Sequence, residues 1–198
     1  MKKIVSGIVL LTSVLAFAGE NSSGFYVGAG VGNTSYSDDG FTKALDVTSK
    51  ANTDDSGTIG YLGYQFNNIV GIEASYIDYG KFANGSNGFS QEPKNMNFAA
   101  NVGYSFLDGQ LRPYVVAGLG YLKANWKNLP YYASKLSDSA VSFHYGLGLQ
   151  YEPDFLHGLG VRVAYVADAY VASLDTGSTS ETYTQVLGLG YIGLQYKF

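Results

Sequence analysis

The chain ends in Ile192-Gly193-Leu194-Gln195-Tyr196-Lys197-Phe198, where every second residue is apolar and the residues between are small or polar. Side chains of a β-strand point alternately to opposite faces, so this run has one greasy face and one that is not. The same alternation occurs over 25–32, 98–104 and 143–151. Read this way throughout, the sequence predicts strands at 25–34, 57–66, 70–79, 96–106, 112–122, 140–151, 159–168 and 186–198. Each spans 10 to 13 residues. Ordinary strands have about five or six, and a tilted strand that crosses a bilayer needs about 9–11. The connections alternate in length. Those at 67–69, 107–111 and 152–158 are short, and those at 35–56, 80–95, 123–139 and 169–185 are long. Eight strands with short turns at one end and long loops at the other suit a membrane barrel.

The second face decides between water and lipid. In a soluble barrel the apolar face points inward, and the outer face carries many charges. Here the second face carries Gly28, Gly30, Gly32, Gly118, Gly120, Gly146 and Gly148, with a few amides and single charges. That is a poor surface for water and a good lining for a narrow interior. The whole chain has 26 Gly in 198 residues and only 14% charged residues; glycine is thus about 13%, against about 7% in ordinary proteins, where charged residues make up about 25%. The apolar face is therefore expected to face lipid, with a closed barrel satisfying the backbone. With 18 Tyr and 11 Phe the chain is too aromatic for disorder. It has no Cys, which excludes a disulfide scaffold. A net charge of −4 opposes a nucleic-acid partner.

Residues 1–18 read as a cleaved secretory signal. Lys2 and Lys3 precede a mostly apolar run from Ile4 to Leu15, and Ala16-Phe17-Ala18 is an A-x-A cleavage site. The run is too short for a membrane anchor, and no Cys follows for lipid attachment. The domain expected to fold is 19–198.

Several segments resemble the OmpA-like family of eight-stranded outer-membrane barrels. Gly63-Tyr64-Gln65-Phe66-Asn67, followed by Val70 to Tyr76, resembles that family's second and third strands and their tight periplasmic turn. Arg112 to Tyr121 resembles its fifth strand. Tyr196-Lys197-Phe198 resembles the terminal signal read by the barrel-assembly machinery. The resemblance implies an all-β, antiparallel up-and-down transmembrane barrel in the Gram-negative outer membrane. It implies no wall-anchoring role, because nothing like the family's peptidoglycan-binding domain follows the barrel.

Strand parity assigns the candidate sites. Glu73 and Arg162 point inward from the third and seventh strands, on opposite walls. A buried carboxylate needs a partner, so the two are expected to pair; the family resemblance also places an acid and an arginine there. Such a pair can brace the barrel or gate a small pore, and both readings stand at this point. Gln65, Asn101, His144, Gln150 and Gln195 are expected in a polar lumenal network. Tyr64, Tyr104, Tyr151, Tyr196 and Phe198 lie at short-turn ends on the apolar parity and should form an interfacial girdle. Ser142 and His144 lie two apart on one inward face. That is an acyl-transfer pairing of the kind outer-membrane lipid A enzymes use, but the sequence places no carboxylate beside them, so they are read as network residues and the chain as no enzyme. Asp38, Asp39, Asp54 and Asp55 match no cation loop and read as solvated; no metal or cofactor is expected. Trp126, Tyr131 and Tyr132, with Lys123, Lys127 and Lys135, form a candidate loop surface for lipopolysaccharide or an extracellular ligand. Trp126 alternatively anchors the upper interface. The chain is expected to act as a monomer in outer-membrane lipid. Two places break the phase: Leu187, Leu189 and Tyr191 share the inward parity of Lys197, and Asp78 shares the outward parity of Tyr76. A β-bulge or a position above the hydrocarbon would account for either.

Overall fold

The structure, a computed structural model, describes residues 23–37, 56–83, 90–127, 139–175 and 180–198. Residues 1–18, expected to be a signal, and Asp38, Asp39, Asp54, Asp55, Tyr131, Tyr132 and Lys135 lie outside them. Eight long strands form the body: β1 (Gly24–Ser37), β2 (Ser56–Gln65), β3 (Val70–Asp78), β4 (Lys94–Gly103), β5 (Leu111–Lys123), β6 (Ser139–Tyr151), β7 (Leu159–Asp175) and β8 (Ser180–Lys197). Each pairs antiparallel with its neighbours in chain order, and β1 closes on β8 from Tyr26↔Lys197 to Ser37↔Val186. A closed meander leaves no sheet edge in the wall. No helix of the described residues is long and apolar enough to cross a membrane, so a crossing would be made by strands.

The short turns carry their own chemistry. Between β2 and β3, Asn67 Oδ1 accepts the backbone N–H groups of Ile69 and Val70, both at 2.8 Å. This is the turn that an Asx side chain templates. Between β4 and β5, Leu107, Asp108 and Gly109 all take positive φ, with Gly109 at 97°. Between β6 and β7 a 3₁₀ turn at Asp154–Leu156 ends at His157 and Gly158, with φ of 48° and 93°. Glycine has no Cβ to strain at these left-handed positions. A Cβ on Gly158 would also lie 2.3 Å from the Lys197 carbonyl oxygen.

The two faces separate as alternation requires. Leu62, Met96, Leu119 and Leu194 point outward and are 60–64% exposed. Their inward neighbours Tyr61, Gly63, Asn95, Asn97, Gly193 and Gln195 are buried, and Gly118 and Gly120 are half-buried. A continuous wall of this kind would be unsupportable in water and is solvated by hydrocarbon. At the short-turn end Phe25 packs on Tyr64, Tyr104 on Phe106 and Tyr196 on Phe198, with centroids 4.7–5.0 Å apart. With Tyr151, also outward and exposed, these residues line that rim.

The two apparent phase breaks resolve differently. The registers of β8 with β1 and β7 run without interruption, so there is no bulge. Leu187, Leu189 and Tyr191 point into the barrel and are buried. An interior this narrow is a packed core and takes apolar side chains as readily as polar ones. Asp78 does point outward, opposite Lys94, and the two form an ion pair of 2.8 Å at the long-loop end. Other boundaries also move. The expected fourth long loop is mostly strand: β7 and β8 pair continuously to Asp175↔Ser180. The second long connection contains the short strands Phe82–Ala83 and Ser90–Gln91, which join Trp126–Lys127 in a small sheet.

Candidate functional site in the barrel lumen

Two bridges cross the lumen to β7, one from β3 and one from Tyr79, the residue that follows it. The lower one lies towards the short turns. Arg162 Nη1 donates to Glu73 Oε2 at 2.8 Å, and both side chains are buried. The same carboxylate oxygen accepts the Tyr26 hydroxyl at 2.8 Å and Asn101 Nδ2 at 3.5 Å. Arg162 Nη2 reaches Gln150 Oε1 at 3.5 Å. The guanidinium carbon lies 4.0 Å from the centre of the Tyr61 ring, 4.9 Å from Tyr114 and 5.4 Å from Tyr26. The cation is thus held by one carboxylate and three aromatic faces.

The inward glycines make room for this cage. A Cβ on Gly28 would fall 2.4 Å from Tyr61, one on Gly63 would fall 2.4 Å from Tyr26, and one on Gly148 would fall 2.5 Å from Tyr114. Each ring lies across a backbone that carries no side chain. This is how eight narrow strands hold four tyrosines, Tyr191 being the fourth, around one arginine.

The rest of the lower network continues towards the short turns. Arg112, which the sequence reading did not single out, donates to Asn101 Oδ1 at 2.7 Å and to the Ile69 carbonyl at 3.1 Å. Gln150 and Gln195 both donate to Glu152 Oε1. Lys197 Nζ reaches Gln65 Oε1 at 3.2 Å. Asn101 and Gln150 therefore touch the Glu73–Arg162 pair, Gln195 joins Gln150 through Glu152, and Gln65 binds Lys197 and the Asn67 carbonyl at the short-turn end. Removing one partner of a buried charge pair is costly because the other charge stays in a poorly solvating site.

His144 lies elsewhere. Its Nδ1 is 2.8 Å from Asp168 Oδ1, and the other carboxylate oxygen accepts the Tyr79 hydroxyl. All three side chains are buried. Tyr79 follows β3 and Asp168 lies on β7, so this upper bridge spans the lumen from just past β3 to the same opposite strand. It sits six residues further along each, a rise of about 20 Å. Along the strands between the two bridges Ile77 and Val166 are buried, and so are Ser75 and Asn97, 3.4 Å apart. The carboxylate that the sequence reading did not find for His144 is thus Asp168, on the inward parity of Arg162. A serine hydrolase site does not follow. Ser142 Oγ is buried and accepts Asn95 Nδ2 at 2.8 Å, and among the described residues no hydrogen bond joins it to His144. No group of three or more metal-ligating residues occurs among the described residues. The backbone of Trp126 pairs with Gln91.

A closed eight-stranded meander with a lipid-facing wall and a packed, partly charged lumen defines an outer-membrane β-barrel. The family comparison agrees: the model of the outer membrane protein beta-barrel domain matches residues 5–198, and the chain belongs to that family. A comparison with curated proteins finds no match. Among solved structures the chain is similar to Ail, the attachment invasion locus protein of Yersinia pestis. They share 20% identity over 89% of this chain and 100% of that one, with a TM-score of 0.53. Neisserial surface protein A gives 18% identity over 90% and 100%, with a TM-score of 0.52. OprG of Pseudomonas aeruginosa gives 14% over 90% and 98%, with a TM-score of 0.53. At these identities the likeness speaks for the fold.

Proposed function

We propose that the barrel is a rigid, non-conducting scaffold in the outer membrane that presents its long connections for recognition or adhesion at the cell surface. The observation that supports this most is the filled lumen. Eight strands enclose a space that side chains occupy, and here an ion pair in a tyrosine cage, buried side chains such as Ile77 and Val166, and a second polar bridge follow one another along it. Function is then left to the outer connections and to the wall. Lipid and lipopolysaccharide are the partners of the wall, with an extracellular ligand held by the loops, Trp126, Tyr131 and Tyr132 among their residues. Residues 1–18 direct export and are removed. Phe198 is the residue offered to the assembly machinery, and the finished barrel acts as a monomer without a cofactor or catalytic residue.

The test is replacement of the outer connections by short Gly-Ser linkers, in cells that display the protein. Retained heat-dependent gel mobility would report an intact barrel. Surface adhesion and lipopolysaccharide binding should then fall with the long connections and survive changes in the lumen. Binding that persists after all of them are replaced would refute the reading. A gated channel is the second reading. The Glu73–Arg162 pair favours it, because a single ion pair can exchange partners, whereas the bridge above it opposes it.

A further inference from the structure

We infer that the upper bridge belongs to a second seal, which closes the outer mouth independently of the Glu73–Arg162 pair. The inference deepens the non-conducting reading and rests on it. The two roots of the β3–β4 connection turn back into the mouth. Tyr79 is fully buried and Phe82 is 4% exposed. Tyr79 N–H donates to the Pro93 carbonyl at 3.0 Å, which ties the two roots together. From there they reach β1, β7 and the end of β5. The Tyr79 hydroxyl donates to Asp168 on β7. The Phe82 ring packs 5.7 Å from Tyr36 on β1. Gln91 Nε2 donates to the Tyr170 hydroxyl at 3.3 Å. Tyr170 and Tyr36 both donate to Gln185 Oε1 on β8. Asn125, just past β5, donates to the Glu92 carbonyl at 3.1 Å.

This is a plug built from the connection itself. It shares no side chain with the lower bridge, and buried Ile77 on β3 and Val166 on β7 fall between the two along their strands. Breaking the ion pair therefore leaves the mouth closed, and loosening the mouth leaves the ion pair closed. Both must fail before ions pass.

The chain has no cysteine, so Ser142→Cys gives a single reporter thiol beside the upper bridge. Three proteins carry it in lipid: the otherwise native chain, Tyr79→Ala/Phe82→Ala/Gln91→Ala, and Glu73→Gln/Arg162→Met. Heat-dependent gel mobility verifies that each is folded, and Tyr79→Phe replaces the triple variant if that one is not. A charged thiol reagent added outside should label the reporter at least tenfold faster in the mouth variant and at the native rate in the ion-pair variant. In planar bilayers, without the reporter, each variant alone should be silent and their combination should show steady steps. Steps in the ion-pair variant alone would overturn the second seal while leaving a silent native barrel, and so the scaffold reading, intact. Unchanged labelling in the folded mouth variant, or a silent combination, would also overturn it. Steps in the native chain would instead sink the scaffold reading.

Discussion

The two bridges reach β7 from β3 and from the residue that follows it, six residues apart on each side, yet they differ in chemistry. The lower one holds two full charges in contact and adds three aromatic faces around the cation. The upper one holds a carboxylate with an imidazole and a phenol. Arginine keeps its charge, so the lower bridge depends on close pairing for its net benefit. The upper one is closer to a hydrogen-bonded knot whose loss leaves polar groups short of partners. The lesson is that one barrel can be braced at two heights by different means. The lower means is fixed by charge; the upper one ties an external connection to the wall.

That contrast orders the expected effects. Arg162→Ala should be the most damaging change, at about 3–5 kcal/mol, because it strands Glu73 and empties the cage. Glu73→Ala together with Arg162→Ala should cost clearly less than the two single losses added. Urea unfolding in lipid vesicles reads both, and equal or additive losses would count against the pairing. Gly63→Ala and Gly28→Ala come next, at about 1–3 kcal/mol each, since a methyl group must displace Tyr26 or Tyr61 from the cage. Asp168→Asn should cost about 1–3 kcal/mol by removing a full acceptor from His144 and Tyr79. Amide hydrogen exchange should then rise at Tyr79, whose N–H binds the Pro93 carbonyl, while the core of β3 stays protected. Exchange that rose equally along β3 would show that the upper bridge braces the whole barrel rather than the connection. Lys94→Ala should be the mildest. Its pair with Asp78 lies on the exposed outer rim, where such pairs contribute little, and no shift in unfolding midpoint is expected.

The lower bridge was legible in the sequence and the upper one was not, for physical reasons. Glu73 and Arg162 are charged residues on strands whose other inward positions are mostly small or uncharged, so parity alone puts them on facing walls. Asp168 has the parity of Arg162 and Tyr79 that of Glu73. Both, however, fall at the last position of the expected strands, where alternation stops carrying information. What fixes them is the β3–β4 connection folding back, and no local pattern encodes that. Arg112 shares the inward parity of Tyr114, but it stands at the first position of its expected strand, where alternation has not yet begun to carry information. Leu187 and Leu189 show the opposite error. Their parity was right, but an interior assumed to be polar made them look like a phase break. The long β7–β8 hairpin was missed because residues 169–185 mix polar and apolar positions too evenly to mark an end.

The central claim is that this barrel is filled and closed, so the most direct measurement is single-channel recording of the native protein refolded into planar bilayers. The account predicts a silent membrane at protein levels where folded barrel is verified by gel mobility. Sustained, uniform conductance steps from the native chain would contradict it.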